Sequence, residues 1–210
     1  MNITKPIKQP EVTQRKLIEA TTLLMLRQGF NATTVDEICA EAGVTKGSFF
    51  YHCENKEDIG QAVVRTWGEF GQSMYGDAWK QPGEPLEEIH RLFDIMDGIT
   101  RRPEPCVCLV GMLTQELSGE HPGFRTGCAR ELDTWAEMFR SRLEAAKRQL
   151  KPAINFDPAE VAWFLNSLWQ GSMLVGKARQ STELIRTNLR LARNYVDSLF
   201  ADPIRPVPQA

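Results

Sequence analysis

Thr33-Thr34-Val35-Asp36-Glu37-Ile38-Cys39-Ala40-Glu41-Ala42-Gly43-Val44-Thr45-Lys46-Gly47-Ser48-Phe49-Phe50-Tyr51-His52 reads as two short helices hinged on one glycine. Thr34 can accept from the backbone N–H three residues on while Glu37 reaches back, which is the pattern of a capping box and opens the first helix. Gly43 has no Cβ and can take a positive φ, so it can stop that helix and turn the chain before Val44. Thr45 can then cap a seven-residue helix. Two short helices joined by a tight turn containing Gly have the layout of a helix-turn-helix.

The same helical reading extends outward in both directions. Apolar residues recur at spacings of three and four almost from end to end, and no stretch alternates with period two, so the fold is expected to be all-α. A first helix is expected over 12–28, closed by Gly29. After His52, Asn55 can cap a helix with two acids in its first turn, running to about Trp79. Gln81-Pro82-Gly83-Glu84-Pro85 breaks the chain, and further helices are expected over 86–101, 108–118, 122–150, 158–179 and 182–200. The division expected is a helix-turn-helix domain over 1–60, a larger helical domain over 61–202 and a flexible tail over 203–210.

Composition narrows the function classes. The 210 residues carry 25 basic against 27 acidic side chains, for a net charge of −2, so any nucleic-acid surface must be local. Apolar runs such as Leu23-Leu24-Met25-Leu26 are far short of a bilayer span, and the N-terminus lacks the apolar stretch of a secretory signal, so a cytoplasmic protein is expected. Five cysteines in that setting are an odd number and argue against structural disulfides. Cys106-x-Cys108 with a distant His121 lacks zinc-ligand spacing, so neither metal nor cofactor is expected. A cysteine-dependent enzyme would need a base, and none of the three histidines pairs with a cysteine in a recognised motif, so no enzyme activity is expected.

These residues also carry a family resemblance. Arg15-Lys16-Leu17-Ile18-Glu19-Ala20, Gly29-Phe30, Thr33 through Ile38, Ala42 through His52, and Asn55-Lys56-Glu57 closely resemble, in order and spacing, the DNA-binding domain of TetR-family repressors. The resemblance covers roughly residues 12–63. It implies an all-α homodimer with a three-helix reader, a connecting fourth helix, and a larger domain that binds an effector and dimerises. Two departures stand out: Cys53 occupies an aromatic position and Phe49 an aliphatic one, a pair of changes that can offset in volume. Position 50 is usually Tyr, and Phe50 cannot donate that hydroxyl to a phosphate.

On this reading the N-terminal end of the 45–52 helix enters the major groove of double-stranded operator DNA. Lys46 can reach a guanine edge or a phosphate, Ser48 can bond a base edge, and Gly47 permits close approach. The resemblance places Thr34, Thr45, Tyr51, His52 and Lys56 at phosphate-gripping positions. Lys5, Lys8, Arg15 and Lys16 against the lone Glu11 give a basic arm for nonspecific contacts.

Pro105-Cys106-Val107-Cys108-Leu109-Val110-Gly111 with Gln115-Glu116-Leu117-Ser118 resembles a branch of the family with a Cys-Leu start to its sixth helix, which includes the N-ethylmaleimide-responsive repressor. That implies an electrophile-sensing Cys108, expected in the first turn of a helix where the dipole favours thiolate, with Cys106 as a possible resolving partner and Lys177, Arg101 or Arg102 depressing its pKa. The competing expectation is a noncovalent apolar effector, the cysteines being structural, enclosed by Met112, Trp135, Phe139, Trp163 and Trp169, with Met96 and Met138 nearby. The resemblance also implies that the last two helices form a four-helix interface with a twin, Gly171, Ser172 and Gly176 allowing close approach.

Overall fold

The computed structural model describes residues 9–103, 105–152 and 154–201. Lys5, Lys8 and the tail 203–210 lie outside the described residues. The fold is all-α as expected: among the described residues there is no strand, and the helices are α1 (Gln9–Gln28), α2 (Val35–Ala42), α3 (Lys46–His52), α4 (Lys56–Gly76), α5 (Pro85–Ile99), α6 (Leu109–Leu117), α7 (Pro122–Leu150), α8 (Pro158–Arg179) and α9 (Glu183–Phe200). Boundaries follow local chemistry. Gly29 closes α1 at φ 84° and Gly43 closes α2 at φ 65°, both in the left-handed region where a Cβ is strained. Asn55 caps α4 by accepting from Asp58 N–H at 3.0 Å. The α4 helix ends three residues short of Trp79, which lies instead in a single 3-10 turn.

The chain divides into two compact units, and the first is discontinuous: it comprises residues up to Phe70 together with Leu109–Glu131, while the second comprises Gly71–Cys108 and the residues from Leu132 onward. In the first unit α1, α2, α3 and the start of α4 close around Leu17, Leu24, Ile38, Cys39, Phe49, Cys53 and Ile59. Phe49 and Cys53 share this cluster, so a large residue at one position stands beside a small one at the other. Helices α4 and α7 approach through glycine: a Cβ on Gly60 would lie 2.6 Å from the Phe124 ring and 2.9 Å from the Phe30 ring.

The second unit packs α5, α8, α9 and the later part of α7 around Leu92, Phe93, Met96, Phe139, Leu165, Trp169 and Val196. Two small residues expected at the twin interface are used inside this unit. Ser172 is buried and accepts from Asn188 of α9 at 2.9 Å, and Gly176 lets α8 pass within contact of Ile185. Gly171 alone of the three has open space beside it. Among the described residues no helix is long and apolar enough to cross a membrane.

Candidate nucleic-acid interface

Helix α3 is asymmetric because only one of its faces is held. Phe49 is completely buried and Cys53, the residue that closes the helix, is buried beside it. On the opposite side Lys46, Gly47, Phe50 and Tyr51 are exposed, Phe50 at 55% and Tyr51 at 76%. Thr45 is the N-cap, its hydroxyl accepting from Ser48 N–H at 3.1 Å, which leaves the Ser48 side chain half-buried at the start of the helix. Lys46 pairs with Asp36 of α2 at 2.7 Å, with both side chains more than 60% exposed. Donating a hydrogen bond to the Asp36 carboxylate, and facing its charge, raises the Lys46 pKa, so the ammonium stays charged. An ion pair this solvated costs little to exchange for a DNA contact. His52 is half-buried, its ring 5.0 Å from that of Tyr51.

Two residues expected to grip phosphate spend their donors inside the protein. Thr34 is the cap of α2, and both its N–H (2.8 Å) and its hydroxyl (2.9 Å) donate to Glu37 Oε2, while Glu37 N–H returns to the hydroxyl oxygen at 3.2 Å. Accepting the Thr34 N–H, and next its hydroxyl, holds the Glu37 carboxyl below its ordinary value, so the box persists into acid. Lys56 Nζ donates to the carbonyls of Phe30 (3.0 Å) and Thr33 (3.0 Å), reaches Asn31 at 3.5 Å, and sits 4.3 Å over the Phe30 ring. A phosphate would have to compete with these carbonyls.

Matches to known families agree with this arrangement. The family described as "Bacterial regulatory proteins, tetR family" matches residues 17–63, and "Tetracyclin repressor-like, C-terminal domain" matches residues 85–192. The chain belongs to the TetR family. Its members are DNA-binding transcription regulators, and the reader described above is their helix-turn-helix. Among curated relatives, the HTH-type transcriptional repressor DhaR of Mycobacterium sp. strain GP1 is 27% identical over 175 residues, 81% of this chain and 85% of that protein. The transcriptional regulator AcuR of Cereibacter sphaeroides is 28% identical over 79% of this chain and 77% of its own length. The reduced form of E. coli NemR superposes with a TM-score of 0.78 over 92% of this chain and 99% of that one, at 22% identity, which shows a shared TetR fold and leaves the branch open.

In the second unit the residues expected to sense an effector separate into those brought together and those not. Cys106, Cys108, Tyr75, Trp135 and Trp169 form one neighbourhood. Burial drives the Tyr75 hydroxyl far above its ordinary pKa and nearby Cys108 adds to this, while the Trp169 and Trp135 indoles approach the hydroxyl and oppose the shift. The buried Trp135 Nε1–H approaches the Tyr75 hydroxyl without reaching the geometry of a full hydrogen bond. Phe139 stacks on Trp135 at 4.8 Å, and Met96 and Met138 pack on the same cluster. Cys108 is half-buried and stands one residue before α6 rather than in its first turn, because the regular hydrogen bonding of α6 starts at Leu109. Cys106 is buried, and burial, with the neighbouring Cys108, pushes its thiol up to about 11. None of the five cysteines is in a disulfide.

The other expected participants have more exposed or separate settings. Lys177 is exposed in the last turn of α8, and Arg101 is engaged by Asp97 at 2.7 Å. Trp163 is 45% exposed and lines an open groove of about 240 Å³ with Asp133, Glu137 and Arg140, a charged setting unlike that of Trp135. Met112 belongs to the first unit. Sequence reasoning did not single out Tyr75, and no motif marks it. Its place in the cluster follows from burial beside two indoles.

Proposed function

We propose that this protein is a homodimeric repressor that holds a palindromic operator and is released by an effector acting in its second unit. The observation that carries the reading is the α3 helix, fixed on one face by Phe49 and offering Lys46, Gly47, Tyr51 and the Thr45–Ser48 turn on the other. In this reading DNA recognition lies in residues 1–60, and effector binding and dimerisation in 61–202. Dimerisation is supported by a face of α8 and α9 on which Phe164, Leu174, Leu191 and Tyr195 are exposed, Phe164 stacked edge-on against Tyr195 at 5.2 Å. A two-fold pair places two reader helices one DNA turn apart or a multiple of it, so the operator is a palindrome. Repression is the role named for the Mycobacterium relative.

The test is binding to duplexes selected from a random pool, at fixed salt. Lys46→Ala should weaken the selected duplex by roughly tenfold if Lys46 reads a base, or lower the salt slope by about one if it contacts a phosphate. An unchanged affinity and salt slope removes Lys46 from the interface, and absence of any selected duplex removes the reading.

Release by modification of Cys108 is supported by its partial exposure at the positive end of α6. Near neutral pH a maleimide should label Cys108 and spare Cys106, whose reactivity should appear only as pH climbs toward its pKa of about 11. Mass spectrometry of the labelled protein decides, and an unlabelled Cys108 ends the covalent reading. A second reading, a noncovalent effector, is favoured by the buried aromatic cluster of Tyr75, Trp135, Phe139 and Trp169, an apolar setting that carries one hydroxyl and two indole N–H groups.

A further inference from the structure

The turn between α1 and α2, residues 29–33, is gripped by opposite charges through its backbone. Glu116, half-buried near the end of α6, accepts the Phe30 N–H on Oε2 at 3.0 Å and the Asn31 N–H on Oε1 at 2.7 Å. The Lys56 ammonium takes carbonyls of the same turn, those of Phe30 and Thr33 at 3.0 Å each. The Thr33 hydroxyl closes the turn on Gly29 O at 2.6 Å. Gly29 is doubly required, since its φ is 84° and a Cβ there would lie 2.9 Å from Glu116 Oε2. The residue after this turn is Thr34, the cap from which α2 starts, and α2 carries Asp36, the partner of Lys46.

We propose that Glu116 is a positioning residue for DNA recognition: its carboxylate fixes the α1–α2 turn to α6 and thereby sets the direction in which α2 and α3 leave it. One carboxylate satisfying two successive N–H groups fixes both position and orientation of the turn, which a single hydrogen bond would not. The proposal rests on the operator-binding reading above. Glu116 adds no favourable charge toward DNA; its contribution is to geometry, so it acts on selectivity rather than on overall attraction.

Two readouts on the full-length protein test it. Hydrogen exchange at the Phe30 and Asn31 amides should be slow in the wild type and at least about tenfold faster in Glu116→Ala. The ratio of affinity for the selected duplex to that for a random duplex should fall about five- to tenfold in the same variant, with random-duplex affinity undiminished. Glu116→Gln, nearly isosteric and keeping one acceptor oxygen, should fall between on both measures and serves if the alanine variant folds poorly. An unchanged ratio alongside faster exchange would make the clamp structural only, and unchanged exchange would dissolve the clamp itself. A wild type that selects no duplex overturns the DNA reading and this proposal together, an outcome distinct from the other two.

Discussion

Phe49→Ala should lower the stability of the first unit by about 3–5 kcal/mol, the largest loss expected from any single substitution in the reader. The ring has no solvent exposure and lies among Leu17, Leu24, Ile38, Cys39, Cys53 and Ile59, contributed by helices on every side. Collapse cannot refill the space cheaply, since the neighbour that could move in, Cys53, is already a small residue closing the same helix. Phe50→Ala is the control: that ring is 55% exposed, and its loss should stay within about 0.5 kcal/mol. Urea unfolding followed by circular dichroism checks both. Near-equal midpoints for the two variants would mean that Phe49 does not hold α3 in place.

Gly60→Val should cost about 2–3 kcal/mol, although it replaces a residue disfavoured in helices. In open helix the change would be roughly neutral or slightly favourable. At Gly60 the new Cβ would meet Phe124 at 2.6 Å, Phe30 at 2.9 Å and Met25 at 3.2 Å. Neither ring can retreat freely: Phe30 and Phe124 are packed edge-to-face at 4.8 Å, and Phe30 also lies under the Lys56 ammonium. Gly98→Ala, in a helix with nothing within 4 Å, should instead gain a few tenths of a kcal/mol. Thermal melts of the two glycine variants should therefore move in opposite directions, and a stabilised Gly60→Val would contradict the tight α4–α7 approach.

The parts of this molecule that announce themselves along the chain are those fixed by neighbours a few residues away. The Thr34–Glu37 box, the Gly43 turn, the Thr45 cap and the seven residues of α3 are each determined within one helical turn, and the structure has them where the residues place them. The site's long-range half is different in kind. That Lys56 turns inward depends on carbonyls 23 to 26 positions earlier, and the Glu116 carboxylate meets amides 85 and 86 positions away. A lysine at a phosphate-gripping position looks the same in sequence whether or not such acceptors surround it. Aromatic spacing likewise could not separate Trp135, buried with Tyr75, from Trp163, half in solvent beside charged groups. Ser172 and Gly176 read as interface residues because smallness marks close approach, and smallness does not say to which neighbour.

The return of residues 109–131 to the first unit bears on portability. A fragment cut after α4 would retain the whole helix-turn-helix yet forfeit Phe124, which covers Gly60, and the carboxylate that closes the α1–α2 turn. Grafting this protein's operator preference onto a foreign sensor therefore means transplanting two separated pieces of polypeptide, and recombination at the apparent domain border would leave the transplanted half unfinished.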